Sequence, residues 1–305
     1  MARRKNPILQ RIEYLAYRVA AGAVRRASDE AVARWGARIG NWSRQVVRRR
    51  DKLAMRNLRI AFPSKEEREL RTILDECWRH LGREMLAFLR AQSYSLEELS
   101  ERCHFVNEQI LDEARARGHG TMLISAHFGG WEIAGLALMA HAENVLTVAR
   151  PLDNELLERD LAQIRARTGA DVVDRRRAAR ALMKGLGDNA VTVVLPDQAV
   201  QPREGVLVPF LGRDAWTTDA PAKLALHAGS DIVFGFCIPV GLRHRLEFEG
   251  PIRVDELTEE ERDPKRLTAR INEVISRRIT AHPELWLWMH DRWKGTGEGT
   301  QQHGN

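Results

Sequence analysis

Cysteine is scarce in this 305-residue chain: Cys77, Cys103 and Cys237 are the whole complement. They show no paired spacing, so a disulfide framework and a zinc site are set aside, and a reducing, cytosol-facing setting is expected. Long apolar runs are missing as well. The longest stretch free of Asp, Glu, Lys and Arg lies between Arg117 and Glu132 and holds 14 residues, short of the ~18 that a spanning helix needs. The N-terminus lacks the unbroken apolar h-region of a cleavable signal, so none is expected. Ten histidines are present, yet no two sit close enough to share a helix face as ligands, and Cys103-His104 stands alone. A metal hydrolase is therefore not expected. Internal repeats and low-complexity linkers are absent, and only the tail 295–305 reads as disordered.

What the chain does have is charge, unevenly placed. Residues 1–60 hold 16 Lys and Arg against 4 Asp and Glu, a local +12 on a chain of net +6, which leaves the rest at −6. A basic arm on a mildly acidic body points to an anionic partner, either a membrane or a nucleic acid. Within it, Ile8, Leu9, Ile12, Leu15, Val19 and Val24 recur at helical spacing over 8–26, among Arg3, Arg4, Lys5, Arg11, Arg18, Arg25 and Arg26. Such a helix can lie in the lipid interface, or pack on the protein's own core with a solvated basic face. The first reading is preferred, because the basic excess continues through Arg34, Arg38, Arg44 and Arg48 to Arg50. Trp35 and Trp42 fit interfacial anchors, but tryptophans are more often core residues, so they add no weight to that reading. No nucleic-acid motif accompanies the basic residues, so nucleic acid is not expected as a partner.

The helical pattern continues over 29–60 and Pro63 breaks it. Ser64, with Glu67 three residues on, reads as a capping box for a helix running to about Gln92. Short helices are expected near 95–102 and 107–117. From Thr121 the chain alternates. Strands are expected at 121–126, 145–149, 170–173, 191–195, 206–209, 231–240 and 245–249. Helices are expected at 152–168, 175–186, 220–228 and 267–281. That alternation defines an α/β sheet covered by helices.

The segment Thr121-Met-Leu-Ile-Ser-Ala-His127-Phe-Gly-Gly-Trp-Glu132 carries the most chemistry. A short apolar run ends in a histidine, two glycines follow, then a glutamate opens an apolar helix at Ile133. This is a buried strand, a tight turn and a helix start, where open α/β sheets place ligand chemistry. Residues five apart on a regular helix are about 140° out of phase, so His127 and Glu132 can meet only if His127 precedes the helix. Gly129 and Gly130 permit that turn. A neutral imidazole can take a proton from a hydroxyl, with a carboxylate fixing its tautomer. Backbone N–H groups at the helix start could support an oxyanion. The alternative is a histidine that merely caps the strand end. Ser125 is the one local nucleophile candidate; direct attack by a substrate hydroxyl is preferred. His244, with Glu249 five residues on, reads as a strand whose two side chains point to opposite faces.

Several separated pieces resemble one family. Ile124-Ser-Ala-His127-Phe-Gly-Gly-Trp-Glu132 resembles the HxxxxE motif of bacterial lipid A biosynthesis lauroyl/myristoyl acyltransferases, within the lysophospholipid acyltransferase superfamily. Val148-Ala-Arg150-Pro-Leu-Asp-Asn154 with Arg167-Thr-Gly169, Leu195-Pro-Asp197-Gln198, Val208-Pro-Phe-Leu-Gly212 and Cys237-Ile-Pro239-Val240 resemble the later blocks. His282-Pro-Glu284 through Trp288-Met-His290-Asp-Arg292-Trp-Lys294 is similar to the closing signature. Upstream, Arg56-Asn57 to Pro63 and His80-Leu-Gly-Arg83 also fit. The likeness spans about residues 8–294 in the family's order.

The resemblance implies a single α/β acyltransferase domain (61–294) with a central mixed β-sheet flanked by helices. A basic helical N-terminal arm (1–60) that associates with membrane precedes it, and a disordered tail (295–305) follows. It implies transfer of a fatty acyl chain from an acyl carrier protein (or CoA) thioester to a hydroxyl of a lipid A precursor, with no other cofactor and no metal. An alternative acceptor is another envelope glycolipid, such as a phosphatidylinositol mannoside. His127 would be the general base with Glu132 as its partner. The other implied substrate-binding residues are Arg150, Arg167, Asp197, Gln198, Gly129 and Gly130. Arg150 would hold phosphate, and Arg167 either phosphate or a nearby carboxylate. Asp197 and Gln198 would orient His127's surroundings or the acceptor sugar, or form a turn after Pro196. Arg292 would bind headgroup phosphate or belong to the packing of the tryptophans beside it. The expected partners are acyl carrier protein, anionic membrane lipid and the glycolipid acceptor. Two departures stand out. Many members begin with an apolar anchor long enough to cross the bilayer, whereas this chain has a charged amphipathic segment. That favours a peripheral enzyme on the cytoplasmic face of the inner membrane. The other is Asp291, where a second basic residue is expected.

Overall fold

The computed structural model describes residues 6–149, 152–167, 171–174 and 178–297. At its centre lies β2 (Thr121–Ile124), all four residues buried. It pairs in parallel with β5 (Val191–Val194) on one side and β8 (Asp231–Val240) on the other. Strands covered on both faces need apolar residues at nearly every position, which is why β8 is buried from Asp231 through Ile238 without alternation. The remaining strands are β1 (Cys103–Val106), β3 (Val145–Ala149), β4 (Asp171–Asp174) and β9 (Arg243–Ile252). Together they make a seven-stranded sheet in the order β1-β9-β8-β2-β5-β3-β4. β9 runs antiparallel to β8, and β1 parallel to β9, so the sheet is mixed, as expected. β6 (Val206–Phe210) and β7 (Arg213–Thr217) form a separate hairpin.

Side-chain alternation sorts the sheet's two faces. Met122, Ile124, Ile232, Phe234 and Phe236 point into the larger core, with α3 (Arg48–Ala61), α4 (Glu67–Ala91), α10 (Ala220–Ala228), α11 (Pro264–Ala281) and the tryptophans near the C-terminus. Leu123, Val191, Val233, Cys237, Leu246 and Phe248 point the other way, onto α6 (Gln109–Ala116) and α7 (Trp131–His141).

The basic N-terminal segment is three helices: α1 (Pro7–Arg26), α2 (Asp29–Val46) and α3. The division at residue 60 does not follow the packing. Ala54 and Leu58 of α3 are fully buried in the main core. α2 lies against α4 through glycines: a Cβ on Gly40 would fall 2.0 Å from the Trp78 carbonyl oxygen, and one on Gly82 2.1 Å from that of Gly36. α2 also exposes Trp42 and Val46, and α1 keeps an outward apolar face. Val24 is buried, whereas Ile8, Ile12, Leu15 and Val19 on its far side are 59–67% exposed.

Other differences are local. α4 starts at Glu67, capped by Glu66 and Glu69 in a capping box rather than by Ser64 and Glu67; the same spacing recurs two residues later, and the sequence alone does not choose between them. β1 and β7 were not expected, being short and partly exposed. Residues 298–305 of the expected disordered tail lie outside the described residues, while the Gly295 carbonyl accepts a bond from Trp216 Nε1 at 3.3 Å.

Candidate active site

His127 stands three residues past the end of β2 and four before α7, so it precedes the helix as the turn requires. Phe128, Gly129 and Gly130 reverse the chain between them. Gly129 has φ +57° and packs directly on β8: an added Cβ would lie 1.6 Å from the Cys237 carbonyl oxygen. Only glycine fits there.

Backbone bonds clamp this turn. Gly129 N–H donates to the Leu285 carbonyl at 2.8 Å, Leu287 N–H donates to that of His127 at 3.0 Å, and Gly130 N–H donates to that of Cys237 at 3.3 Å. Gly129 and Gly130, expected among the substrate-binding residues, have no backbone N–H to offer substrate, since both are spent within the protein. The unspent donors begin one residue later. Gly130 is the N-cap of α7 without a side-chain cap, which leaves the N–H groups of Trp131, Glu132 and Ile133 without intrahelical acceptors.

Asp197, three residues beyond β5, reaches His127 from across the sheet edge. Its Oδ1 lies 2.9 Å from His127 Nδ1, and its Oδ2 accepts the His127 backbone N–H at 3.1 Å and Trp286 Nε1–H at 2.8 Å. Its side chain is 1% exposed. Burial by itself would raise the Asp197 pKa, but the His127 charge and these three donors outweigh it and hold the carboxyl below its usual range. Burial would lower the His127 pKa; the charge and hydrogen bond of Asp197, then the charge of Glu132, reverse that and raise it.

The carboxylate bonded to the imidazole is thus Asp197 and not Glu132. Glu132 is exposed on the first turn of α7, accepts a bond from Trp131 Nε1 at 3.2 Å, and acts on His127 only through charge. With Nδ1 donating to Asp197, the tautomer leaves Nε2 as the acceptor. The Gln198 amide nitrogen lies 3.3 Å from Nε2. Trp131 stands edge-on to the ring, 5.6 Å between centroids. Both ring nitrogens face partners other than Ser125, so no Ser–His pair forms. The arrangement can take a proton at Nε2 and hold the resulting imidazolium against a buried carboxylate.

Arg150 lies outside the described residues, as does the side chain of Arg167. Arg292 is fully buried: Nη1 donates to the Trp216 carbonyl at 2.7 Å, Nη2 donates to Thr217 Oγ1, and the guanidinium sits 4.3 Å from the Phe210 ring centre. Burial brings its pKa down to about 10. It is an internal strut and not a headgroup ligand. Asp291 pairs with Arg56. Trp286 as a donor to Asp197 had no signal in the sequence beyond its place in the closing signature.

A mixed α/β sheet with an imidazole–carboxylate pair at its edge and no protein nucleophile bonded to it has the parts for acid–base chemistry on bound substrates. Over residues 4–295 the chain matches the family described as bacterial lipid A biosynthesis acyltransferase, and it belongs to that family. It is 25% identical over 272 residues to the lipid A biosynthesis lauroyltransferase of Escherichia coli K12, covering 88% of this chain and 87% of that one. A lipid A biosynthesis acyltransferase of Haemophilus influenzae is 26% identical over 260 residues, covering 82% and 79%. Among solved structures, the 1-acyl-sn-glycerophosphate acyltransferase PlsC of Thermotoga maritima overlaps 86% of this chain and 99% of its own, with TM-score 0.40 and 13% identity.

Proposed function

We propose that this acyltransferase moves a fatty acyl chain from an acyl carrier protein or CoA thioester to a hydroxyl of a lipid A precursor, with His127 as general base. The observation that carries the base assignment is the bond from His127 Nδ1 to the buried Asp197, which turns Nε2 toward the open edge beside Gln198. Nε2 takes the acceptor's hydroxyl proton as the oxygen attacks the thioester carbonyl. The tetrahedral oxyanion gathers at the first N–H groups of α7. The intermediate collapses, the C–S bond breaks, and the departing thiolate takes the proton back from the imidazolium. Gln198 marks where the acceptor hydroxyl docks. Glu132 adds a second negative charge that favours the imidazolium. Arg150 keeps the phosphate-binding role that the family likeness implies, and Arg167 pairs with phosphate or with a nearby carboxylate.

An apolar pocket of about 100 Å³, lined by Leu136 of α7 with Ala91, Tyr94, Leu96, Leu99 and Ile164, offers room for part of an acyl chain. No described helix is long and apolar enough to cross a membrane. Attachment to the cytoplasmic leaflet instead uses α1, whose apolar stripe faces away from the body while Tyr17 bonds inward to Gln92 at 2.5 Å. A normal surface helix does the reverse; a helix lying in a lipid interface presents such a stripe to acyl chains, with its arginines at the headgroups.

Mass spectrometry of lipid A from cells lacking the gene tests the reading. Loss of one defined acyl mass, restored by the wild-type chain and not by His127→Ala, is expected. An unchanged acyl pattern would refute the acceptor, and a functional His127→Ala would refute the base.

A further inference from the structure

Beneath the catalytic turn lies a second imidazole–carboxylate group that the reaction above does not use. Glu84 of α4 and His244 of β9 are both at least nine-tenths buried, with His244 Nε2 2.8 Å from Glu84 Oε2. His80, one helical turn before Glu84, places Nδ1 3.8 Å from Glu84 Oε1. All of this presses on the backbone of the turn. A Cβ on Gly130 would fall 2.5 Å from His244 Cδ2 and 2.8 Å from Glu84 Oε2. Gly130 is also the N-cap of α7. The pair therefore sits directly behind the N–H groups proposed to receive the oxyanion.

We propose that the Glu84–His244 pair, backed by His80, is the rigid seat of the Phe128–Gly130 turn and positions His127 and the start of α7 for acyl transfer. A buried ion pair adds little stability over apolar residues of the same size, but its directional bond fixes α4, β9 and the turn in one geometry. Charge matters as well. An unpartnered Glu84 carboxylate behind the helix start would draw on the same N–H dipoles that must face the oxyanion. A protonated His244 cancels it; burial opposes that proton, but the bond and charge of Glu84 raise the His244 pKa regardless. Glu84 and His244 are thus positioning residues that touch neither substrate.

This inference rests on the acyl-transfer reading and deepens it. The test is Glu84→Gln and His244→Gln, assayed separately and together. Each single variant is expected to lose about 10–100-fold in kcat, as displacement of a reacting group by an ångström does, with KM for both substrates unchanged. The double variant should lose no more than either single one, because the pair acts as a unit. Wild-type kcat in either single variant, or a loss confined to KM, would overturn the proposal. If a single variant does not fold, the double variant decides, since it leaves no unpaired buried charge: reduced kcat is expected and wild-type kcat refutes. Gly130→Ala with both Glu84→Ala and His244→Ala makes room for the added methyl; recovery of wild-type kcat there would show the pair to be mere filling. Ring ¹⁵N spectra of His127 need no acyl donor, so they separate this inference from the acyl-transfer reading. A shifted His127 signal in Glu84→Gln is expected, and an unchanged one refutes.

Discussion

Replacing Asp197 by Asn is the sharpest perturbation the site allows, because shape is kept while one oxygen becomes an NH₂ group. The geometry says which one. Asp197 Oδ2 receives two donors, the His127 backbone N–H and Trp286 Nε1–H, and Oδ1 faces a single ring nitrogen. The one amide oxygen of Asn therefore takes the Oδ2 place, and its NH₂ group meets Nδ1. A donor now faces a donor. The imidazole resolves the conflict by moving its proton to Nε2, the nitrogen that must accept one. The base is then lost although every atom stays near its place.

The expected cost is that of a disabled general base, about 10²–10⁴ in kcat, or about 2.7–5.4 kcal/mol at 1.36 kcal/mol per tenfold. A thioester-dependent acyl transfer assay over a range of pH reads both size and cause. In the wild type the His127 pKa is raised, so neutral base accumulates only as pH climbs through a value above the ordinary ~6.5, and kcat should rise along that limb. Asn removes the Asp197 charge and bond, leaving burial to lower it against the charge of Glu132 alone, so residual activity should follow a limb displaced to lower pH. The Asp197 pKa is depressed by folding. Its contribution to stability is therefore present above the unfolded value of about 3.9 and fades as pH falls through the folded one. Retention of activity within a few-fold, or a limb moving upward, would refute the tautomer argument.

Glu132→Gln should move the same limb in the same direction but less far than Asp197→Asn, since Glu132 acts on His127 by charge without a bond; a larger displacement would make Glu132 the dominant partner. Gly129→Ala should destabilise the fold by more than about 2 kcal/mol in urea titration, because a positive φ and a blocked Cβ position add. Leu15→Glu with Val19→Glu should weaken binding to anionic vesicles at least about tenfold, given the transfer energy of two apolar side chains, while turnover of detergent-dispersed substrate is unchanged. Equal vesicle binding would detach α1 from the membrane.

The architecture was legible where burial dictates composition. β2 and β8 lie between two helical layers and are apolar almost throughout, so they announce themselves as runs; β9 shows only in part, through the alternation over 245–249 within a strand that runs from Arg243 to Ile252. His127 was legible for the same reason, as a polar residue that ends such a run before two glycines. Its bonded carboxylate was not. Asp197 was visible as a residue past a strand end, but its pairing with a histidine 70 positions away depends on β5 lying beside β2, and local pattern carries no strand order. Glu132 was nearer in sequence and took the role. His244 shows the same limit: it was weighed against Glu249 on its own strand, whereas its partner Glu84 comes from α4, 160 residues distant. In α1 the 3.6-residue period revealed two faces but not which one meets the protein, since either orientation gives the same spacing.

The tryptophan-rich segment near the C-terminus joins these distant parts. The Leu285 carbonyl and Leu287 N–H grip the turn that carries His127, and Trp286 holds Asp197. The segment is itself held from the basic N-terminal region. Asn57 Nδ2 donates to the Trp288 carbonyl at 2.8 Å and to that of His290 at 2.6 Å, and Arg50 Nη1 donates to that of Met289 at 3.0 Å. Asn57 is fully buried, and removing a buried donor costs more than one hydrogen bond contributes, because its acceptors lose their partner too. α3 therefore belongs to the machinery that aims His127, although its charge resembles that of a surface arm. Arg48, Arg49 and Arg59 are exposed, while Asn57, Arg50 and Arg56 reach the C-terminal segment, so one helix bears basic surface on one side and steadies the supports of the His127 turn on the other. Charge composition assigned residues 1–60 to a separate arm; hydrogen bonding joins α3 to the main body and leaves the outward apolar stripe to α1.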